Sequence, residues 1–272
     1  CLLIADHKSV DKQIHIFNKN DFSYLTSIGN FGEGPEEITV MGCLAIDEAH
    51  HQLYVSDHAK QKIFSYDMDS VMVDSLYKPQ VKTAMNETLF PSEYQYINDT
   101  LSIAVLIKPT STSTFNQFLG RWNMNTGEMI PMKYTHPDIQ KKRITFAASE
   151  KAGIYVECYT RHDLMTICSL DGELLYNIYG PDWDGGNGNK LQSFGTVMIG
   201  NDKIFVSYCG EDYARDSFPT KILVFDLEGN YLKTLETGYK ISDCCYDSFN
   251  NRIILSLNDV VQFAYLDIDG II

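Results

Sequence analysis

Short apolar runs separated by polar turns organise this chain from one end to the other. LYVS at Leu53, IFVS at Ile204 and RIILS at Arg252 are rich in β-branched and aromatic residues and flanked by Asp, Asn, Gly and Ser. Runs so short and so bounded read as strands rather than helices. They also recur in order. Copies of one unit begin at Leu2, Leu53, Leu101, Gly153, Lys203 and Arg252. Each opens with a β-rich run and continues through a polar connection of variable length. A second run then ends in Asp or Asn (FSYD, RWN, LVFD, AYLD). A tight turn follows, Asp-Ser, Thr-Gly, Asp-Gly or Glu-Gly, and a third run such as GELLYNI or GNYLKTL closes the unit. Glycine in such turns supplies the positive φ that hairpins need. A fourth run precedes most copies: VMGCLAID, RITFAASE, FGTVMIG and ISDCCYD.

A repeat of about 50 residues with four strands falls in the range of propeller blades. Six copies therefore predict an all-β fold, a six-bladed β-propeller of four-stranded antiparallel blades forming a single domain over residues 1–272. A β-sandwich, the competing all-β fold, does not need one grammar written six times. The first copy lacks its innermost strand and the last ends where its outer strand would begin. An incomplete first or last blade is expected, with residues upstream of Cys1 completing it. Lys82–Leu89 and Asp138–Lys142 read as short helical turns inside connections.

Charge and cysteine content narrow the function. The 22 basic and 36 acidic residues leave a net charge of −14. The densest basic run, Lys141-Lys142-Arg143, is too small to displace the counterions of a nucleic acid, so no nucleic-acid partner is expected. No apolar run approaches the roughly 20 residues of a transmembrane helix. The seven cysteines never fall in C-x2-C spacing, which leaves zinc ribbons and redox pairs unsupported. Cys158 and Cys168 are the one conceivable disulfide; buried thiols are the simpler reading.

The stretch GNFGEGPEEI carries the pattern G-x-x-G-x-G-P-x-E at Gly29, Gly32, Gly34, Pro35 and Glu37, followed by LAID, LYVSD and IFSYD. In these residues, most strongly across Asn18–Asp69, the chain resembles the TolB-like and NHL-like six-bladed propellers, especially those of Bacteroidetes. Members of that group are typically exported, often as envelope lipoproteins, and most have no defined activity. The resemblance thus implies a periplasmic or cell-surface protein, lipid-anchored through residues ahead of Cys1. Cys1 itself invites a lipid-attachment reading, but Leu2-Leu3-Ile4 enters a strand at once and leaves no tether to a bilayer.

The glycine-rich stretch reads as an interblade turn, since a phosphate loop would have to open a helix. The acidic turns YDMDS and LDIDG lack the ligand series of a calcium loop and read as hairpin turns. Loops after the second strand and loops between blades share one face of a propeller, and long loops on a rigid scaffold concentrate binding residues. The longest are Lys78–Ser92, Met132–Lys142, Gly180–Ser193 and Cys209–Thr220. That face supplies the candidate ligand-binding residues Glu37, Asp57, His58, Arg143, Arg161, His162, Trp183, Asp212 and Tyr239. Aromatics beside mixed charges suit a small polar molecule, a glycan or a peptide at the channel mouth. His50-His51 falls in a turn on the opposite face.

The expectation is an exported binding or protein-interaction module without a cofactor. There is no G-x-S-x-G elbow and no H-E-x-x-H helix, so no catalytic residue is assigned. One alternative is a metal-dependent hydrolase or lactonase. Six-bladed relatives of the lactonase and strictosidine-synthase type hold a metal with carboxylates, which Glu37, Asp57 and Asp212 would imitate with calcium. The other is a non-catalytic scaffold for a protein partner.

Overall fold

In the four-stranded blades the second strand is largely buried on both faces, which is why it reads as a continuous apolar run rather than an alternating one. In the computed structural model Ile154–Tyr159 is buried at every position and Gln52–Asp57 at all but the first. Such a strand needs a second sheet against each side, and the repeat provides it. The chain is an all-β six-bladed propeller of three- and four-stranded antiparallel sheets. All residues are described except 75, 188–190 and 213–216. It divides into two compact units, Cys1–Pro131 and Met132–Ile272.

The first unit holds three blades: β1 (Leu2–Ala5), β2 (Lys12–Phe17) and β3 (Tyr24–Asn30); β4 (Met41–Asp47), β5 (Gln52–Asp57), β6 (Lys62–Asp67) and β7 (Gln80–Ala84); and β8 (Phe90–Asn98), β9 (Leu101–Pro109), β10 (Phe115–Trp122) and β11 (Met129–Pro131). The second holds β12 (Ile144–Ser149), β13 (Ile154–Tyr159), β14 (Leu164–Ser169) and β15 (Leu174–Tyr179); β16 (Leu191–Gly200), β17 (Lys203–Asp212), β18 (Lys221–Asp226) and β19 (Tyr231–Glu236); and β20 (Ile241–Asp247), β21 (Arg252–Leu257) and β22 (Phe263–Asp267). The two three-stranded sheets are the first and the last, as the truncated copies predict.

The cores lie between neighbouring sheets. Ile14, Ile16, Leu53, Val55 and Phe64 fill the space between the first two blades, and Tyr54, Ile63, Tyr94, Leu106 and Trp122 the next. In the second unit Val156, Met165, Ile167, Phe194 and Val206 form one layer. Phe205, Ile222, Val224, Ile253 and Leu255 form the other. Phe205 stacks on Tyr246 of the following blade, with ring centres 5.5 Å apart and planes 16° from parallel.

Some local expectations are corrected. The Asp-Ser turn after FSYD does not lead straight into an outer strand. Asp67 accepts the Ser70 N–H as an N-cap, and Met68–Val73 coils into a short helix, α1, that buries Val71. The outer strand is β7 instead, so Lys82–Leu89 begins in extended backbone: Val81 pairs with Phe64 and Thr83 with Ile63. The open edge of β6 satisfies more backbone groups than a short helix could. Lys78–Ser92 therefore holds β7, a turn over 85–89 and the start of β8, the inner strand FPSEYQYIN, which lacked a recognisable fourth-run pattern. Asp138–Lys142 forms turns and bends, not helix. Cys158 and Cys168, which face Met165 and Tyr155 across the β13–β14 ladder, are buried free thiols, the simpler of the two readings of that pair. Burial pushes the Cys168 thiol up to about 11.

Phe205 is fully buried. Phe205→Ala should therefore cost the fold about 3–5 kcal/mol, measured by chemical denaturation. A loss under about 1 kcal/mol would mean that the interblade layers collapse to fill the space.

Candidate functional site

In the first unit the candidate residues hold loops in place. Asp57, completely buried, accepts backbone N–H groups from Thr39 (2.8 Å), Val40 (3.2 Å), Ala59 (3.0 Å) and Lys60 (3.2 Å). Lys60 points its ammonium into the glycine-rich turn and donates to the carbonyls of Gly32 (3.3 Å), Gly34 (2.6 Å) and Glu37 (2.5 Å). Glu37 folds back to accept the Gly34 N–H at 2.8 Å. Gly32 has no room for a side chain, since a Cβ there would lie 2.0 Å from the Glu37 carboxylate. His58 packs its Nε2 against Gly42, where a Cβ would also lie 2.0 Å away, and meets Phe90 edge-on. Burial pushes the His58 pKa down.

The second unit gathers other candidates around one cavity of about 750 Å³. Its walls include Arg143, Arg161 and His162, together with Asp138, Lys141 and Gly186. Three loops supply them: the approach to β12, the β13–β14 turn and the segment after β15. Each loop is fixed by a buried polar contact. Lys142 reaches inward to Glu157 at 2.6 Å, with side chains only 8% and 1% exposed, and Tyr159 donates to the same carboxylate at 3.1 Å. That pins the loop from which Lys141 and Arg143 line the cavity. Asp163, buried beside His162, accepts the Asp182 N–H at 3.0 Å and holds the segment after β15; burial raises its carboxyl pKa.

An aromatic cluster lies beside the cavity. Buried His136 accepts the Asp138 N–H at Nδ1 (3.3 Å), so its Nε2 hydrogen donates to the Tyr179 hydroxyl at 3.0 Å. Trp183 is half-buried, its ring centre 5.4 Å from that of His136, 6.1 Å from that of His162 and 5.0 Å from that of Tyr179. It packs against these three rings. His162 is 6% exposed, and its Nδ1 has no hydrogen-bond partner; Asp184 Oδ1 is 3.9 Å away. Burial lowers the pKa of both histidines, and Asp184 partly opposes this at His162.

Asp212, at the end of β17 opposite Leu191, and exposed Tyr239 do not line this cavity. Conversely, Lys141 and His136 were not singled out from the sequence. The signal for Lys141 was the basic run Lys141-Lys142-Arg143, weighed there only against nucleic acid. His136 gave none, because its contacts are with residues distant in the chain.

Among the described residues, Asp47, His50 and Asp99 are the one group whose ligand atoms are close enough to share a metal ion. Asp47 accepts from the His50 N–H (3.2 Å) and meets His50 Nδ1 at 2.8 Å. The corresponding turn of the last blade repeats this: Asp247 accepts from Asn250 N–H at 3.4 Å and Nδ2 at 2.7 Å. The pairing is the turn chemistry of the fold, and it places His50-His51 in the β4–β5 turn.

Residues 1–120 match the model of a family, DUF5128, described as a 6-bladed beta-propeller. No curated protein matches the chain. Among solved structures, a protein of unknown function from Bacteroides caccae is similar at 12% identity and a TM-score of 0.57, over 98% of this chain and 90% of that one. A member of the duf4221 family from Bacteroides vulgatus is similar at 9% identity and 0.63, over 97% and 89%. The extracellular domain of a putative one-component system from B. thetaiotaomicron is similar at 12% and 0.56, over 93% of this chain and 32% of that one. At such identities the likeness concerns the fold.

Two outcomes follow. Lys142→Met, which strands the Glu157 carboxylate, should cost about 3–5 kcal/mol, and Lys142→Met/Glu157→Leu should recover much of it. Denaturant midpoints of the three proteins decide this, and equal losses in single and double variants would refute the pairing argument. His136 and His162 have folded pKa values below the ordinary 6.5, so the unfolded chain takes up protons that the folded one refuses. Their contribution to stability therefore falls as pH drops below about 6.5. The melting temperature should decline on mild acidification, and less steeply in His136→Phe.

Proposed function

We propose that this protein is a binding module and that its ligand occupies the cavity of the Met132–Ile272 unit. The observation that carries this is the convergence of Arg143, Arg161 and His162 on one concavity of about 750 Å³, a size typical of small-molecule sites. The cavity is polar, which favours a small polar molecule, a glycan unit or a peptide end over a lipid. Its walls are held by buried contacts, Lys142–Glu157 and Asp163 to the Asp182 N–H, so they stand ready before a ligand arrives. An exported setting, in the periplasm or at the cell surface, belongs to the same proposal and rests on the TolB-like pattern at Gly29–Glu37. No helix of the described residues is long and apolar enough to cross a membrane.

Metal-dependent hydrolysis has less support. The carboxylates of Glu37 and Asp57 are already engaged with backbone N–H groups of their own loops.

A thermal-shift screen with small metabolites, oligosaccharides and short peptides tests the proposal, because a ligand selective for the folded state raises the melting temperature. A true ligand should lose its shift in Arg143→Glu and keep it in Lys8→Glu, an exposed position in the other unit. Ligands that bind both variants equally would place the site elsewhere, and a screen without any shift would remove the proposal.

A further inference from the structure

Resting on that reading of the cavity, we infer that His136 is a pH-sensitive latch on its wall: neutral, the ring holds the 136–139 turn against the segment after β15, and on taking up a proton it releases that turn and the cavity opens.

The latch depends on which ring atom can accept. His136 begins a turn in which the Ile139 N–H donates to its carbonyl at 3.3 Å and the Asp138 N–H to its own Nδ1, also at 3.3 Å. A backbone N–H only donates, so this ring nitrogen carries no proton in the folded chain. The other nitrogen, Nε2, donates to the Tyr179 hydroxyl at 3.0 Å and ties the turn to the end of β15. A second proton can go only to Nδ1. It would set two donors face to face and place a charge on a side chain that is 2% exposed.

The cavity wall is built on that turn. Pro137, Asp138 and Lys141 line it from the loop before β12, and Gly185 and Gly186 from the segment after β15. The two segments are in close contact, since a Cβ on Gly186 would lie 2.5 Å from the Asp138 carbonyl oxygen. Trp183, on the same segment as Gly186, meets the His136 ring edge-on. A turn freed from its own ring therefore loses its seat against this segment.

The groups facing the ring set the direction of the switch. Asp138, on the same turn, attracts a proton to it, but burial outweighs that attraction and holds the His136 pKa below the ordinary 6.5. Tyr179, from β15, is served by the neutral ring. His162, from the β13–β14 turn, shares the Trp183 ring with His136, and a charge on either histidine disfavours one on the other. Asp184 lies 3.9 Å from His162 Nδ1. The closed wall thus binds fewer protons than the open one, and falling pH favours the open one. A ligand that needs the closed wall is released by up to about tenfold per pH unit for one proton.

Amide hydrogen exchange, followed by NMR between about pH 7.5 and about pH 5, reads the latch without any ligand. After correction for the intrinsic pH dependence, the Asp138 amide should exchange about tenfold faster at the lower pH, the worth of one hydrogen bond. The Gly186 amide should shift with the same midpoint, while that of Trp122, in the core of the first unit, stays still. His136→Asn keeps an acceptor for the N–H two residues on and cannot titrate, so Asp138 should remain protected at both pH values. His136→Phe removes the acceptor and should leave Asp138 unprotected at both, whereas His162→Gln should preserve the transition. If Asp138 in the unaltered protein stays protected throughout, or if the transition survives His136→Asn, the inference is overturned. A latch that opens while the thermal-shift screen finds nothing removes the binding-module proposal and leaves this one. A ligand that needs Arg143 and binds alike at both pH values, with Asp138 still protected, does the reverse.

Discussion

Every feature of this protein depends on apolar sheets covering one another's faces. A four-stranded sheet whose second strand is apolar on both sides cannot be stable alone in water. Here the faces meet in pairs: Leu53 and Val55 with Ile14 and Ile16 in one unit, Phe205 and Val224 with Ile253 and Leu255 in the other. The outer strands make fewer such contacts, and their apolar residues remain partly exposed, as with Leu174, Leu175 and Tyr231. Because the layers between blades carry the stability, the loops at the strand ends can vary in length and content.

Those loops are nonetheless well fixed, and polar chemistry fixes them. A buried carboxylate must find donors, and a buried ammonium must find acceptors. Asp57 and Asp163 take backbone N–H groups from interblade segments, Lys60 takes three carbonyls, and Lys142 takes Glu157. Each contact links a loop to the strand or loop beneath it. The same residue types that would advertise a metal site or an active site on a surface here serve as pins. Asp57 and Asp163, at the connections between the second and third strands of their blades, use the same solution.

The cavity of the second unit is bordered by such pinned loops. Lys141 and Arg143 stand at the wall because their neighbour Lys142 is drawn inward. His162 is enclosed by the rings of Trp183 and Tyr159, with the Asp184 carboxylate 3.9 Å from its Nδ1. The similarity to other propellers says nothing of this arrangement, since a shared scaffold does not carry a shared site.

The sequence by itself determined the blades. Strand length, turn residues and a period of about 50 residues are local properties, and they place nearly every strand of both units. It also singled out Arg143, Arg161 and His162, which line one cavity. It misplaced the outer strand of the second blade because Asp67 can start either a hairpin or a helix, and only the open edge of β6 decides. It passed over His136 and Lys141 because burial and convergence depend on residues far apart in the chain. Asp57 and Arg143 look alike in sequence, each a charged residue beside a connection. The fold surrounds the first with N–H donors and leaves the second at a cavity wall, so its roles were settled by neighbours that only the folded chain supplies.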